Sequence, residues 1–172
     1  MTETQKVSKL VPANKIYQSY RKSKDIVTHT PLQKSAFLSK KYQAHVFLKR
    51  EDLQVVRSFK LRGAATAFRN LTDDERKRGV VTSSAGNHAQ GIAYCCSKFK
   101  VKGTIFMPAT TPKIKISAVK RFGGEWLQIE LIGTTFDDAV AAGQKFSHET
   151  NAVFIHAFNN IHVIEGQGGL AA

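Results

Sequence analysis

Gly79-Val80-Val81-Thr82-Ser83-Ser84-Ala85-Gly86-Asn87-His88 is the stretch that decides the fold. Its first half is a short β-branched run bounded by glycine before and small residues after, which reads as a buried strand. Residues 87–99 follow, with apolar Ala89, Ile92, Ala93 and Cys96 at helical spacing. The Ser84–His88 turn therefore lies between a strand's carboxyl end and a helix's amino end. Open α/β sheets bind ligands at such places, because spare backbone N–H groups and the helix dipole favour a carboxylate or phosphate.

The same alternation extends outward in both directions. Downstream, the spacing predicts a strand over 103–107 that ends at Pro108, then a helix opened by Thr111 as N-cap and Pro112 at its first position. That helix stops near Gly123-Gly124, with strand 125–132, helix 135–149 and strand 152–156 to follow. Upstream, 13–26 reads as a helix with Ile16, Tyr17 and Tyr20 on one side. Thr30-Pro31-Leu32 is a turn into an extended segment, 35–42 a short helix, 45–49 a strand and 50–58 a loop. Residues 59–71 form a helix with Leu61, Ala64, Ala65 and Phe68 inward. Strands separated by helices predict an α/β fold, an open parallel twisted sheet with flanking helices. Residues 1–12 read as polar and loosely ordered. The run from Ile161 to Ala172 reads as the start of a helix and not as the close of a domain.

Composition narrows the function classes. The 172 residues are 42% hydrophobic and 23% charged, ordinary for a globular chain with a core. No apolar run is long enough to span a membrane, and the amino terminus lacks the apolar segment of a signal peptide, so a cytoplasmic location is expected. Cys95 and Cys96 are adjacent, which suits reduced thiols packed in a core. The net charge of +13, from 26 Lys and Arg against 13 Asp and Glu, raises nucleic acid as a partner. The basic residues are dispersed, though, and no aromatic RNA-binding signature or DNA-reading helix pair accompanies them. The charge reads as a solvated surface, with no nucleic acid and no membrane as partner. The histidines and cysteines show no metal-ligand spacing.

A second motif, Ser58-Phe59-Lys60-Leu61-Arg62-Gly63, sets an amine beside a flat ring. Lysine condenses with carbonyls, and pyridoxal phosphate is the common cofactor that exploits this. Taken alone, Lys60 reads as a surface lysine, Phe59 as core, Asn87 as a helix cap, and His88 as a structural histidine in a turn.

Together the motifs resemble the threonine dehydratase (threonine ammonia-lyase) family, of the pyridoxal-phosphate fold type II shared with tryptophan synthase β. The resemblance runs from about Asp25 to Gly168. It is carried by Thr30-Pro31-Leu32, Lys49-Arg50-Glu51-Asp52-Leu53-Gln54, Ser58 to Gly63, Ser84 to Gly91, Met107-Pro108 and Gly166-Gln167-Gly168. The wording of Arg57 to Lys60 and Phe106 to Pro112 looks most like the biosynthetic, isoleucine-pathway branch.

The resemblance implies pyridoxal 5′-phosphate as cofactor and Lys60 as the catalytic lysine bound to it. It implies Phe59 against the cofactor ring and Asn87 on its ring hydroxyl. Ser84, Ala85, Gly86, Asn87 and His88 would form the loop that holds the substrate carboxylate. It further implies α,β-elimination of L-threonine, with L-serine or a racemase activity as alternatives, and a homo-oligomer in the full-length form. The family's phosphate loop is expected after Ala172. Gly166-Gln167-Gly168 is expected to match a helix-opening motif before that loop, with Gly169 where the family usually has Thr. On this reading 1–24 is an extension with a first helix. Residues 25–172 are the amino-terminal part of the catalytic region, with a complete small domain and a large domain truncated before it is complete. Such a piece is expected to be catalytically dead alone and to leave apolar surface uncovered.

Overall fold

The computed structural model describes residues 11–172; residues 1–10, and with them most of the loosely ordered opening segment, lie outside the described residues. Four strands form a parallel sheet: β3 (Val80–Ser83), β4 (Gly103–Met107), β5 (Leu127–Leu131) and β6 (Val153–Phe154). Their spatial order is β5-β4-β3-β6, with Val80 level with Gly103 and with Val153. β3 is central and entirely buried, as its β-branched composition requires of a strand covered on both faces.

Alternation along the strands separates two cores. Val80, Ile105 and Met107 belong to the larger core, with α3 (Lys60–Arg69), α5 (Asn87–Phe99) and α6 (Lys113–Gly123). Val81 and Phe106 belong to a second core with Ala139 of α7 (Phe136–Thr150). Ser83 Oγ donates to the Ala139 carbonyl at 2.8 Å, and a methyl group on Gly143 would come within 2.5 Å of that Oγ. Cys95 and Cys96 are free thiols in the larger core, and burial pushes Cys96 up to about 12.

α3 is buried from Leu61 to Phe68, with Leu61, Ala64, Ala65 and Phe68 inward as predicted. It packs between α5 and α8 (Ile161–Gly168). The α3–α8 approach is close: a methyl group on Gly63 would meet the Val163 carbonyl at 2.8 Å, and one on Gly166 the Arg62 carbonyl at 2.4 Å.

Several boundaries differ from the sequence expectation. α1 (Ala13–Lys22) stops four residues early, because the chain turns at Ser23 to tuck Ile26 and Val27 into the core; both N–H groups bond the Ser23 carbonyl. Tyr17 is exposed, while Ile16 faces Gly168. Thr111 is not the N-cap of α6; Pro112 holds that position without a side-chain cap, and the Thr111 hydroxyl is buried with no hydrogen bond among the described residues. An unexpected helix, α4 (Asp73–Arg78), is opened by a Thr72–Glu75 capping box. Residues 124–126 form a 3-10 turn before β5. Gly166-Gln167-Gly168 forms the last turn of α8 and opens no helix.

The extended segment β1 (Leu32–Lys34) pairs antiparallel with β2 (Phe47–Lys49), making a two-stranded ribbon outside the main sheet, joined by α2 (Ala36–Tyr42).

Candidate functional site

Lys60 begins α3, and its amine is the chemical centre of the predicted site. Its backbone N–H donates to Ser58 Oγ at 3.2 Å. The side chain runs out of the core between two aromatic rings: Nζ lies 5.4 Å from the centre of Phe59 and 4.7 Å from that of Phe158. Nζ also reaches the Ala157 carbonyl at 3.5 Å. Burial strips water from the ammonium and lowers the Lys60 pKa. Phe59 is not core; it is 38% exposed and presents its ring at the site.

The Ser84–Gly86 turn leaves the carboxyl end of β3, and Gly86 is the cap residue of α5. Asn87 is the first helical residue and not the cap; its side chain is exposed. The Gly86 N–H bends back to Ser84 Oγ at 3.2 Å, and a methyl group on Gly86 would meet nothing within 4 Å, so the turn faces open space. The first N–H groups of a helix have no intrahelical acceptor, which makes this turn a fit for an anion. α5 brings the turn to the lysine. A methyl group on Gly91 would sit 3.3 Å from both the Lys60 carbonyl and Ala64 Cβ, so the two helices meet at the first turn of α3.

His88 contributes its backbone to the first turn of α5, but its side chain points inward. It is 3% exposed, and Nε2 bonds the Ile155 carbonyl at 3.2 Å.

Sequence reasoning missed the polar knot beneath the lysine. Arg62 is buried, and its Nη2 and Nε donate to the two carboxylate oxygens of buried Glu51 at 2.7 and 2.8 Å. Thr30 Oγ1 donates to Glu51 at 2.5 Å and Gln54 Nε2 at 3.2 Å, while Gln54 also bonds the Thr28 backbone in both directions. Burial pushes the Glu51 carboxyl up, yet the bonds from Arg62, Thr30 and Gln54, with the Arg62 charge, outweigh it and hold the pKa below the usual range. Arg62 Nη1 donates to the Gly169 carbonyl at 3.3 Å. The segment from Lys49 to Gln54 is thus no plain charged loop: Glu51 and Gln54 fasten Thr28–Thr30 and the foot of α3. The available signal was a Glu and a Gln three residues apart just before the lysine motif.

Among the described residues no helix is long and apolar enough to cross a membrane, and no three His, Cys, Asp or Glu side chains gather as a metal group.

The chain is similar to known proteins over nearly its whole length. A biosynthetic L-threonine dehydratase of Staphylococcus saprophyticus is 50% identical over 96% of this chain, and one of Bacillus subtilis 45% identical over 96%. The chain spans 39% of the length of either relative. Among solved structures, the processed form of threonine deaminase isoform 2 from Solanum lycopersicum matches with a TM-score of 0.82 at 37% identity, over 93% of this chain and 45% of that one. A maize serine racemase matches with a TM-score of 0.85 at 29% identity, over 91% and 47%. The family of pyridoxal-phosphate dependent enzymes matches residues 24–172, with Lys60 and the Ser84–His88 turn inside that span, and to this family the chain belongs.

Proposed function

We propose that this chain carries the lysine-bearing part of a lyase that converts L-threonine to 2-oxobutanoate and ammonia, the first step of isoleucine biosynthesis. The observation that carries this reading is the Lys60 amine, partly desolvated beside two rings, on a residue whose backbone carbonyl packs against the helix that opens at the anion turn. The residues present fit pyridoxal phosphate: an amine for the aldehyde, the Phe59 ring for a flat heterocycle, and the exposed Asn87 side chain for the ring hydroxyl. When bound, that cofactor supplies a carbonyl for the amine and a ring that takes up the negative charge left on the substrate's α-carbon.

The chain's own groups have definite tasks on this reading. Ser84, Ala85, Gly86, Asn87 and His88 form the loop that holds and orients the substrate carboxylate, with the N–H groups of Ala85, Asn87 and His88 as donors, since those of Ser84 and Gly86 are already given to the Phe106 carbonyl and Ser84 Oγ. Lys60 Nζ takes the α-proton, which requires the neutral amine that desolvation favours. Phe59 and Phe158 keep water from Nζ. The β-hydroxyl leaves as water, and one water returns when ammonia is released, so threonine equals 2-oxobutanoate plus ammonia.

The threonine dehydratase relatives support L-threonine as substrate, and the likeness to a serine racemase makes L-serine the second to test. We further infer a cytoplasmic homo-oligomer; two buried free thiols suit a reducing compartment. Residues 25–172 are then the amino-terminal part of the catalytic region, with the small domain complete.

The test is reduction with borohydride after adding pyridoxal phosphate, followed by peptide mass mapping. The adduct is expected at Lys60 and lost in Lys60→Ala. Adducts scattered over surface lysines with no preference for Lys60 would overturn the reading. Assay of 2-oxobutanoate from threonine then separates an active chain from a catalytically silent piece of the fold.

A further inference from the structure

The Ile155 carbonyl is held twice. Thr82 Oγ1, near the end of β3, donates to it at 2.7 Å, and His88 Nε2, in the first turn of α5, lies 3.2 Å away. A carbonyl can only accept, so Nε2 carries the hydrogen, and the neutral ring leaves a lone pair on Nδ1. That Nδ1 is buried and has no hydrogen-bond partner among the described residues. Burial, reinforced by the Lys60 and His156 charges and opposed by the bond to Ile155, pushes His88 down to about 4. The ring therefore stays a single-hydrogen donor at neutral pH.

The chain leaves this anchored carbonyl and closes on the lysine within three residues. His156 Nδ1 accepts the backbone N–H of Phe158 at 3.0 Å and of Asn159 at 2.9 Å, making a tight turn. The turn aims the Ala157 carbonyl at Lys60 Nζ and sets the Phe158 ring over it, 4.7 Å away. Both groups that touch the amine from above thus hang from Ile155.

We propose that His88 is a positioning residue for the Lys60 amine: its ring N–H pins the Ile155 carbonyl so that the 156–158 turn delivers the Ala157 carbonyl and the Phe158 ring to Nζ. This gives the His88 side chain a task separate from its backbone's part in the anion turn. Its catalytic consequence rests on the reading of Lys60 above; the strap itself does not. A histidine serving merely as core filler would be replaceable by any side chain of similar volume.

Three variants of the 172-residue chain separate these roles. His88→Leu fills the volume without a donor, and His88→Gln keeps an N–H within reach. Should His88→Leu not fold, His88→Asn, whose amide is too short to reach, takes its place with the same expectation. Two measurements serve: amide hydrogen exchange at Phe158 and Asn159, and the pH midpoint of Lys60 acylation relative to exposed Lys120.

In His88→Leu, exchange at both amides should quicken about tenfold, the scale of one buried hydrogen bond, and the Lys60 midpoint should rise toward the ordinary lysine value. His88→Gln should stay within about twofold of the native chain, since its donor is retained. Unchanged exchange and an unchanged Lys60 midpoint in His88→Leu would overturn the proposal, as would a His88→Gln variant as disturbed as His88→Leu. If the native chain gives no Lys60 adduct with pyridoxal phosphate, the proposed function falls, and the exchange comparison still decides the strap.

Discussion

The sheet with α3 and the β1–β2 ribbon are built on opposite terms. β3 is buried along its whole length, and α3 is buried from Leu61 to Phe68. The ribbon has no core of its own: Leu32, Phe47 and Leu48 are all exposed, and Phe37 on the adjoining α2 is 75% exposed. A lone two-stranded ribbon is marginal in water, so this one depends on what fastens it. The fastening is polar: Lys49 Nζ donates to the Thr30 carbonyl at 2.7 Å, next to the buried Glu51–Arg62 pair. Rigidity at Lys60 therefore comes from apolar packing below and a few charged hydrogen bonds at the side.

Truncating the two regions is the most direct way to break this contrast. Phe68→Ala should cost about 3–5 kcal/mol, whereas Phe47→Ala should stay within about 0.5 kcal/mol, both read from urea midpoints. Equal losses would mean that the ribbon is packed more firmly than its exposure shows.

The joint between the regions comes next. Glu51→Gln leaves the Arg62 charge buried without its partner and should cost about 3 kcal/mol. The native pair also carries a pH signature. Its carboxyl pKa is depressed on folding, so its stabilisation is present above the unfolded value and fades as pH falls through the folded one. Glu51→Gln should flatten the acid limb of a stability–pH curve; an unaltered limb would remove Glu51 from the joint.

His88 gives a separable effect of up to about 3 kcal/mol, because its pKa falls from an ordinary value near 6.5 to about 4 on folding. The unfolded chain binds the extra proton, so stability should drop as pH falls from about 6.5 toward 4. His88→Gln should remove that slope while leaving the one from Glu51 at lower pH.

Much of this was legible in sequence where signals are local and strong. The β-branched run before Ser84 and the helical spacing after Asn87 gave β3 and α5 with the turn between them, and the motif around Lys60 pointed to a candidate site at the start of α3. Two kinds of feature stayed hidden. The ribbon strands are three residues each and exposed, so neither alternation nor hydrophobicity marked their pairing. Glu51 with Arg62, and His88 with Ile155 some 67 residues away, are pairings that exist only after the chain has folded. Thr111-Pro112 misled for a different reason: both residue types suit a helix start, and the backbone set the cap one residue later than expected.

The surface helix supplies the next contrast. Thr72→Ala removes the cap of α4 and should cost about 1 kcal/mol, without altering Lys60 acylation. The smallest effect belongs to the ribbon surface. Leu32→Ser with Phe47→Ser should leave stability within about 0.5 kcal/mol while lowering self-association in sedimentation, since exposed apolar area drives contact between molecules. Unchanged sedimentation would place the sticky surface elsewhere.

Gly63 and Gly166 leave no space for even a methyl group where α3 crosses α8. The helix that starts at Lys60 is consequently locked against sliding along its own axis. Anything that comes to rest on that amine meets a backbone that does not give, and the room must come from side chains, of which the exposed Phe158 ring, 4.7 Å from Nζ, is the nearest at hand.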